Sequence, residues 1–150
     1  MSTNWPPTGY SEVRAYIYNF EGSNGGIFKN GTLNKTIENK KGILLNQSQV
    51  AKVSQFLKGP LKPDPLQNMA ECILEPRHAL VFFDSDHKSV GFIDVCFECW
   101  GFMTSAKISD RRPDPIDLVG LRTLFKELKL PVFQKREDYV KFKKKYLTNR

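Results

Sequence analysis

Two apolar runs separated by a short polar loop constrain the fold of this chain more than any other feature. Residues 79–84 are Ala-Leu-Val-Phe-Phe-Asp, and residues 90–97 are Val-Gly-Phe-Ile-Asp-Val-Cys-Phe. Both runs are rich in β-branched and aromatic residues, which favour strands. The intervening residues 85–89 are polar and have the length of a hairpin loop. The pattern predicts an antiparallel β-hairpin.

The register of this hairpin can be predicted from burial, because a slip of one residue moves every side chain to the opposite face of a sheet. Pairing Asp84 with Val90 produces one face that is entirely apolar. Its members are Ala79, Val81, Phe83, Ile93, Val95 and Phe97. This register places His78 directly opposite Cys96, at a Cβ separation of about 5 Å. It also places Asp94 one diagonal away, where its carboxylate would orient the imidazole.

All three cysteines and one of the two histidines lie at or near the hairpin, as Cys72, His78, Cys96 and Cys99. Zinc prefers thiolate and imidazole ligands, so one interpretation is a Cys3His zinc site with zinc as the cofactor. A second is a redox pair of Cys96 and Cys99, although this pair ends a strand beside acidic residues and does not begin a helix. A third is a set of buried structural cysteines, with one disulfide from Cys72 if the protein is exported.

The residues of this segment also resemble a known group of sequences. The strand that begins Pro76-Arg77-His78, followed by Cys96-Phe97-Glu98-Cys99, resembles a group of small uncharacterised bacterial proteins. In that group a cysteine, a Pro-Arg-His strand and a Cys-Phe-x-Cys strand occur together, and the resemblance covers residues 45–135. It implies that the three cysteines and His78 belong together. It implies no particular activity, and some relatives resemble exported or lipid-anchored proteins.

Local signals along the rest of the chain predict further strands and helices. Residues 13–20 have strand composition, and Asn30-Gly31 is typical of a type I′ hairpin turn. Asn46 with Gln49 has the pattern of a helix capping box, and Asp114-Pro115 that of a second helix start. A third helix is expected at about 137–147. We therefore predict an α+β fold, with an antiparallel sheet of four to five strands and two or three helices mainly on one face.

Basic residues are concentrated in the last part of the chain. Residues 71–110 carry three basic and seven acidic side chains, whereas residues 111–150 carry twelve basic and five acidic ones. Lysines of the third helix suggest contact with a polyanion such as a nucleic acid, with Tyr139, Phe142 and Tyr146 between them. These lysines are Lys141, Lys143, Lys144 and Lys145. The alternative is a solvated lysine face behind a core-facing aromatic stripe.

Three arginines suggest an anion pocket, and ordinary surface arginines are the alternative. They are Arg77, Arg111 and Arg112.

At the level of the whole chain we expect one domain over residues 1–150, with a flexible segment at residues 1–10. Nothing approaches the roughly 18 apolar residues of a membrane span. If Met1 is the natural start we expect a cytoplasmic protein, and if a signal peptide was removed an extracytoplasmic one. The function expected first is a non-enzymatic binding or structural module whose Cys/His cluster holds zinc or a disulfide. A thiol-disulfide redox protein and a nucleic-acid binder are the alternatives.

Overall fold

A five-stranded antiparallel sheet, built around the predicted hairpin, organises the computed structural model of this chain. The structure describes residues 5–18, 26–29, 31–39, 41–58, 75–105 and 116–148. Along the chain the elements are β1 (Glu12–Ile17), β2 (Phe28–Lys29), β3 (Thr32–Leu33), β4 (Ile43–Leu44), α1 (Gln47–Phe56), β5 (His78–Phe83), β6 (Ser89–Cys96), β7 (Gly101–Thr104), α2 (Leu118–Glu127) and α3 (Arg136–Thr148). The sheet has the order β4-β1-β5-β6-β7, and β2 pairs with β3 separately. The α+β prediction is confirmed.

One side of the sheet packs against the helices, and we call it the helix face. Its strand residues are Val13, Ala15, His78, Leu80, Phe82, Ile93 and Val95. The apolar ones belong to one large core with residues of α1 and α2, among them Val53, Leu121 and Phe125. Tyr139 of α3 joins a smaller cluster beside the same face. Burial of these side chains accounts for the placement of all three helices, because each helix has to cover its apolar stripe.

The opposite side of the sheet is covered by the small β2–β3 hairpin, and we call it the hairpin face. Its strand residues are Tyr16, Ala79, Val81, Phe83, Phe92, Asp94 and Cys96. The buried apolar members pack with Tyr18 and Ile27, and Phe28 and Leu33 of the hairpin pack against them. Gly31, at φ +78°, supplies the left-handed conformation that the predicted Asn-Gly turn requires. The central strand β5 is therefore buried on both faces of the sheet.

The predicted register of β5 and β6 is wrong by one residue. The observed partners are His78 with Val95 and Ala79 with Asp94, and the pairing shifts between Phe82 and Phe83. Val81 and Phe83 consequently lie on the hairpin face, whereas Ile93 and Val95 lie on the helix face. The predicted register required one face without polar side chains, but the protein buries His78 on one face and Asp94 on the other. Every residue of β5 is buried, and so is the carboxylate of Asp94.

The helix boundaries follow local capping chemistry. α1 begins as predicted, because Asn46 and Gln49 form a reciprocal capping box with contacts of 2.8 and 2.9 Å. The second helix begins later than predicted: its N-cap is Asp117, which accepts from the N–H of Gly120 at 3.0 Å. The predicted start at Asp114-Pro115 lies outside the described residues. No helix in the described ranges is long and apolar enough to span a membrane.

The N-terminal segment packs against the core from Trp5 onward. The flexibility expected for residues 1–10 as a whole stays a prediction. Pro7 is buried, and the ring of Tyr10 meets that of Phe82 edge-on at 5.0 Å. Residues 1–4 lie outside the described part of the chain.

Candidate functional site

A tight turn between β6 and β7 brings two of the predicted site residues together. Strand β6 ends at Cys96, residues 97–100 turn, and Cys96 pairs with Gly101 at the start of β7. Trp100 closes the turn in a left-handed conformation with φ +55°. The N–H of Cys99 donates to Sγ of Cys96 at 3.4 Å. We call residues 96–100 the cysteine turn. It reverses the direction of the chain and so brings Cys99 close to Cys96, whereas in a regular strand these two side chains would point to opposite faces.

The thiol of Cys96 is poorly suited to nucleophilic chemistry. Cys96 is a free cysteine with 2% of its surface exposed. Burial raises the pKa of its thiol, and the carboxylate of Glu98 acts in the same direction. The N–H groups of Cys99 and Glu75 and the charge of Arg77 oppose this rise, but burial dominates the balance. The thiol form is therefore favoured over the thiolate that disulfide exchange requires.

His78 does not face Cys96, and this corrects the predicted cross-strand pair. Its imidazole lies on the helix face, whereas Cys96 and Asp94 lie on the hairpin face. The cause is the one-residue difference in register. A single zinc ion bonds sulfur and nitrogen at about 2.0–2.3 Å, so it cannot bridge side chains on opposite sides of one sheet. Asp94 likewise does not orient the imidazole.

The surroundings of His78 are those of a core residue. Its ring lies 5.0 Å from that of Phe97, 5.1 Å from that of Phe125 and 5.2 Å from that of Phe133. Nε2–H donates to the carbonyl oxygen of Pro131 at 2.8 Å, which assigns the proton to that nitrogen. Burial lowers the pKa of His78 to about 4, so the ring is neutral at physiological pH.

Two of the four predicted zinc ligands come together among the described residues. Among them, no group of three His, Cys, Asp or Glu side chains is arranged to hold a metal ion. Cys96 and Cys99 are adjacent, His78 is on the other face, and Cys72 lies outside the described residues.

Arg77 occupies a buried position instead of lining an open anion pocket. Its guanidinium group contacts the carboxylate of Glu75 at 3.0 Å and that of Glu98 at 3.3 Å. Its Cζ also lies 5.4 Å from the centre of the Tyr139 ring. With 2% of its side chain exposed, Arg77 ties the cysteine turn to α3 and is already neutralised by two carboxylates. Arg111 and Arg112 lie outside the described residues.

The third helix separates its aromatic and basic residues. Tyr139 is buried, and both Tyr139 and Phe142 contact the ring of Phe133, at 5.1 and 5.3 Å. These two rings therefore pack against the protein and are not oriented to stack on the bases of a nucleic acid. Lys141, Lys144 and Lys145 are exposed, whereas Lys143 is half-buried. The side chain of Tyr146 is not among those described.

Sequence reasoning missed the main polar contact on the hairpin face. The carboxylate of Asp94 accepts from the Tyr18 hydroxyl at 2.6 Å and from the N–H of Ile27 at 3.1 Å. Asp94 is fully buried, and burial raises its pKa to about 7 against the effect of these two donors. The signal that was available is an aspartate in the middle of an apolar strand, which indicates a buried and hydrogen-bonded carboxylate.

Comparison with known proteins adds no family assignment. A scan against protein-family models found no match, and searches among curated proteins and among solved structures found no significant match.

Proposed function

We propose that this protein is a non-enzymatic binding or structural module in which a disulfide between Cys72 and Cys99 fastens the chain before β5 to the cysteine turn. One observation carries the pairing: Cys96 is a buried free thiol. Of the three cysteines, this leaves Cys72 and Cys99 as partners for each other. A zinc site is less well supported, because His78 lies on the opposite face of the sheet from Cys96.

Such a disulfide would act by restricting the unfolded chain. Closing a loop from residue 72 to residue 99 is expected to stabilise the folded state by about 3–4 kcal/mol, according to the loop-entropy relation. The cysteine turn is a suitable anchor, because Trp100 is buried and the neighbouring Glu98 pairs with Arg77. The bond would therefore add a covalent link beside the ion pairs that Arg77 makes with Glu75 and Glu98.

The alternative of a redox protein with Cys96 and Cys99 is less well supported. Active dithiols expose a thiolate whose pKa is lowered by a helix N-terminus or a cation. Here burial raises the pKa of Cys96, and the pair sits in a turn between two strands. Cys96 and Cys99 have only 2% and 5% of their surfaces exposed, so a substrate protein would have little access to either sulfur.

The test is a cysteine map of protein prepared under oxidising conditions without chelator. Thiols are alkylated before and after unfolding, the protein is digested without reductant, and metal is measured on the same sample. We expect a linked peptide pair containing Cys72 and Cys99, alkylation of Cys96 only after unfolding, and no stoichiometric zinc. Three free thiols with one zinc per chain would overturn the proposal in favour of a metal site. A Cys96–Cys99 bond would favour the redox protein.

Two matched variants separate the roles of the cysteines. Cys96→Ala should retain the linked peptide pair, whereas Cys99→Ala should lose it together with about 3 kcal/mol of stability. Equal losses for both variants would contradict the assigned pairing.

A weaker second candidate is binding of a polyanion through α3, and the exposed Lys141, Lys144 and Lys145 are the observation that favours it. Because Tyr139 is buried and Phe142 packs against Phe133, such contact would be by charge, without base stacking. It would then be independent of nucleic-acid sequence and steeply dependent on salt.

A further inference from the structure

The carboxylate of Asp94 joins three separate segments of the chain. It belongs to β6, it accepts from the hydroxyl of Tyr18 just after β1, and it accepts from the backbone of Ile27 just before β2. Oδ2 is also 3.3 Å from the Ile27 nitrogen. Gly26 makes this approach possible, because a Cβ at that position would lie 2.5 Å from Oδ2 of Asp94.

We propose that Asp94 is a pH-sensitive latch that holds the β2–β3 hairpin on the sheet, tightest when the carboxyl group is protonated and looser when it is ionised. The hairpin is suited to local opening, because its two strands have two residues each and, within the described part of the chain, form a two-stranded sheet separate from the central one. Small units with few strand pairings open at a lower free energy than the central sheet.

Protonation leaves the contact with Tyr18 intact. A phenol hydroxyl donates to a carboxylate and accepts from a carboxylic acid, so the 2.6 Å contact is available to both forms of Asp94. The two forms differ in the cost of burial, which is high for an ion and small for a neutral acid. Opening would return the group to water and remove that cost.

The other groups near Asp94 are not expected to change charge between about pH 4 and pH 7. Tyr18, just after β1, and Cys96 from β6 face the same region, and burial raises the pKa of both. Arg77, which precedes β5, contributes a fixed positive charge close to Tyr18. The adjoining positions on β5 and β7 are Ala79 and Met103, which do not titrate.

The direction of the pH effect follows from linkage. The carboxyl group has a pKa of about 7 in the closed state and its ordinary pKa of 3.8 in the open state, where it is in water. Between these two pH values Asp94 therefore releases one proton on opening. The opening equilibrium should therefore rise about tenfold per pH unit from about pH 4 to pH 7, and it should level off above pH 7.

Hydrogen exchange of the full chain measures this directly, with rates corrected for intrinsic exchange and recorded from pH 5 to pH 8. In the parent protein the amides of Ile27 and Asn34 should lose about tenfold in protection per unit from pH 5 to pH 7. In Asp94→Asn, which keeps the shape without the charge, their protection should not change with pH. Parallel pH profiles in the two proteins would overturn the proposal. Equal pH dependence at Leu80 in the central strand would also do so, since it would indicate global unfolding.

A second variant tests the latch by filling the space beside the Asp94 carboxylate without changing any charge. Gly26→Ala should reduce the protection of Ile27 and Asn34 at least tenfold at every pH, because the added methyl group displaces the carboxylate. Lys35→Ala in the exposed turn after β3 is the matched control and should change their protection less than twofold. Unchanged protection in Gly26→Ala would contradict the latch.

Discussion

His78 and Asp94 are buried on opposite faces of the central sheet, and the protein holds them in different ways. On the helix face, His78 lies among the rings of Phe97, Phe125 and Phe133 and donates one hydrogen bond to a carbonyl. On the hairpin face, Asp94 accepts two hydrogen bonds from segments that are distant in sequence. The imidazole is held mainly by packing, whereas the carboxylate is held by polar contacts that link the hairpin to the sheet.

The comparison shows how burial acts on a base and on an acid. Removal from water penalises the charged form of each, so the pKa of His78 falls to about 4 and that of Asp94 rises to about 7. The consequences for stability have opposite signs. Neutral His78 contributes stability that is present above pH 6.5 and is lost toward pH 4. Neutral Asp94 contributes stability that is present below pH 3.8 and is lost toward pH 7.

The largest expected effect is the loss of the imidazole from the helix face. His78→Ala removes a fully buried ring from contact with three phenyl rings and leaves the carbonyl of Pro131 without its donor. We expect a cost of about 3 kcal/mol or more in the free energy of unfolding, measured by urea denaturation. His78→Phe retains a ring and loses only the hydrogen bond, so its cost should be smaller, at about 1–3 kcal/mol.

The second histidine provides the control for this prediction. The side chain of His87 is 78% exposed, so His87→Ala should change stability by less than about 0.5 kcal/mol. A loss of similar size in His78→Ala and His87→Ala would show that the ring of His78 is not packed as described.

The next effect is a pair of opposite pH dependences. Relative to the parent, His78→Phe should become less stable as pH rises from 4 to 6.5, because it lacks the contribution that His78 gains there. Asp94→Asn should become more stable relative to the parent from pH 4 to pH 7. Each slope is at most about 1.4 kcal/mol per pH unit, and denaturant titrations at several pH values would measure both. Two slopes of the same sign would refute the comparison.

The smallest effect concerns a surface that belongs to neither face. Replacing Lys141, Lys144 and Lys145 with Gln should change the free energy of unfolding by less than about 0.5 kcal/mol, because these side chains are exposed. Retention of a polyanion at low salt by the parent, with loss in this variant, would support the weaker candidate function. A stability loss above 1 kcal/mol would mean that the lysines make structural contacts.

Local signals predicted the fold better than they predicted the site. The capping box at Asn46 and the Asn-Gly turn depend on residues within three positions of each other, so the sequence alone reveals them. The register of β5 and β6 depends on what covers each face. Asp94 is acceptable inside the protein because Tyr18 and Ile27, 76 and 67 residues away, supply donors. The rule that places polar residues outside could not anticipate those partners.

The predicted site was wrong in the position of His78 because it was built on the wrong register of β5 and β6. In the observed register His78 lies on the helix face. The residues that were expected to form one cluster therefore belong to two places, a histidine in the core and the cysteine turn. The contacts of Arg77 likewise could not be predicted from local sequence. Its partners Glu75 and Glu98 and the ring of Tyr139 come together only in the folded chain.

The register itself is the most direct test of this account, and cross-strand Hα–Hα contacts measured by NMR would determine it. Antiparallel strands give such contacts at alternate, closely spaced pairs. We predict that they fall within the series His78–Val95, Ala79–Asp94 and Leu80–Ile93. Contacts between His78 and Cys96, or between Leu80 and Asp94, would return the imidazole to the side of the cysteines and contradict the account.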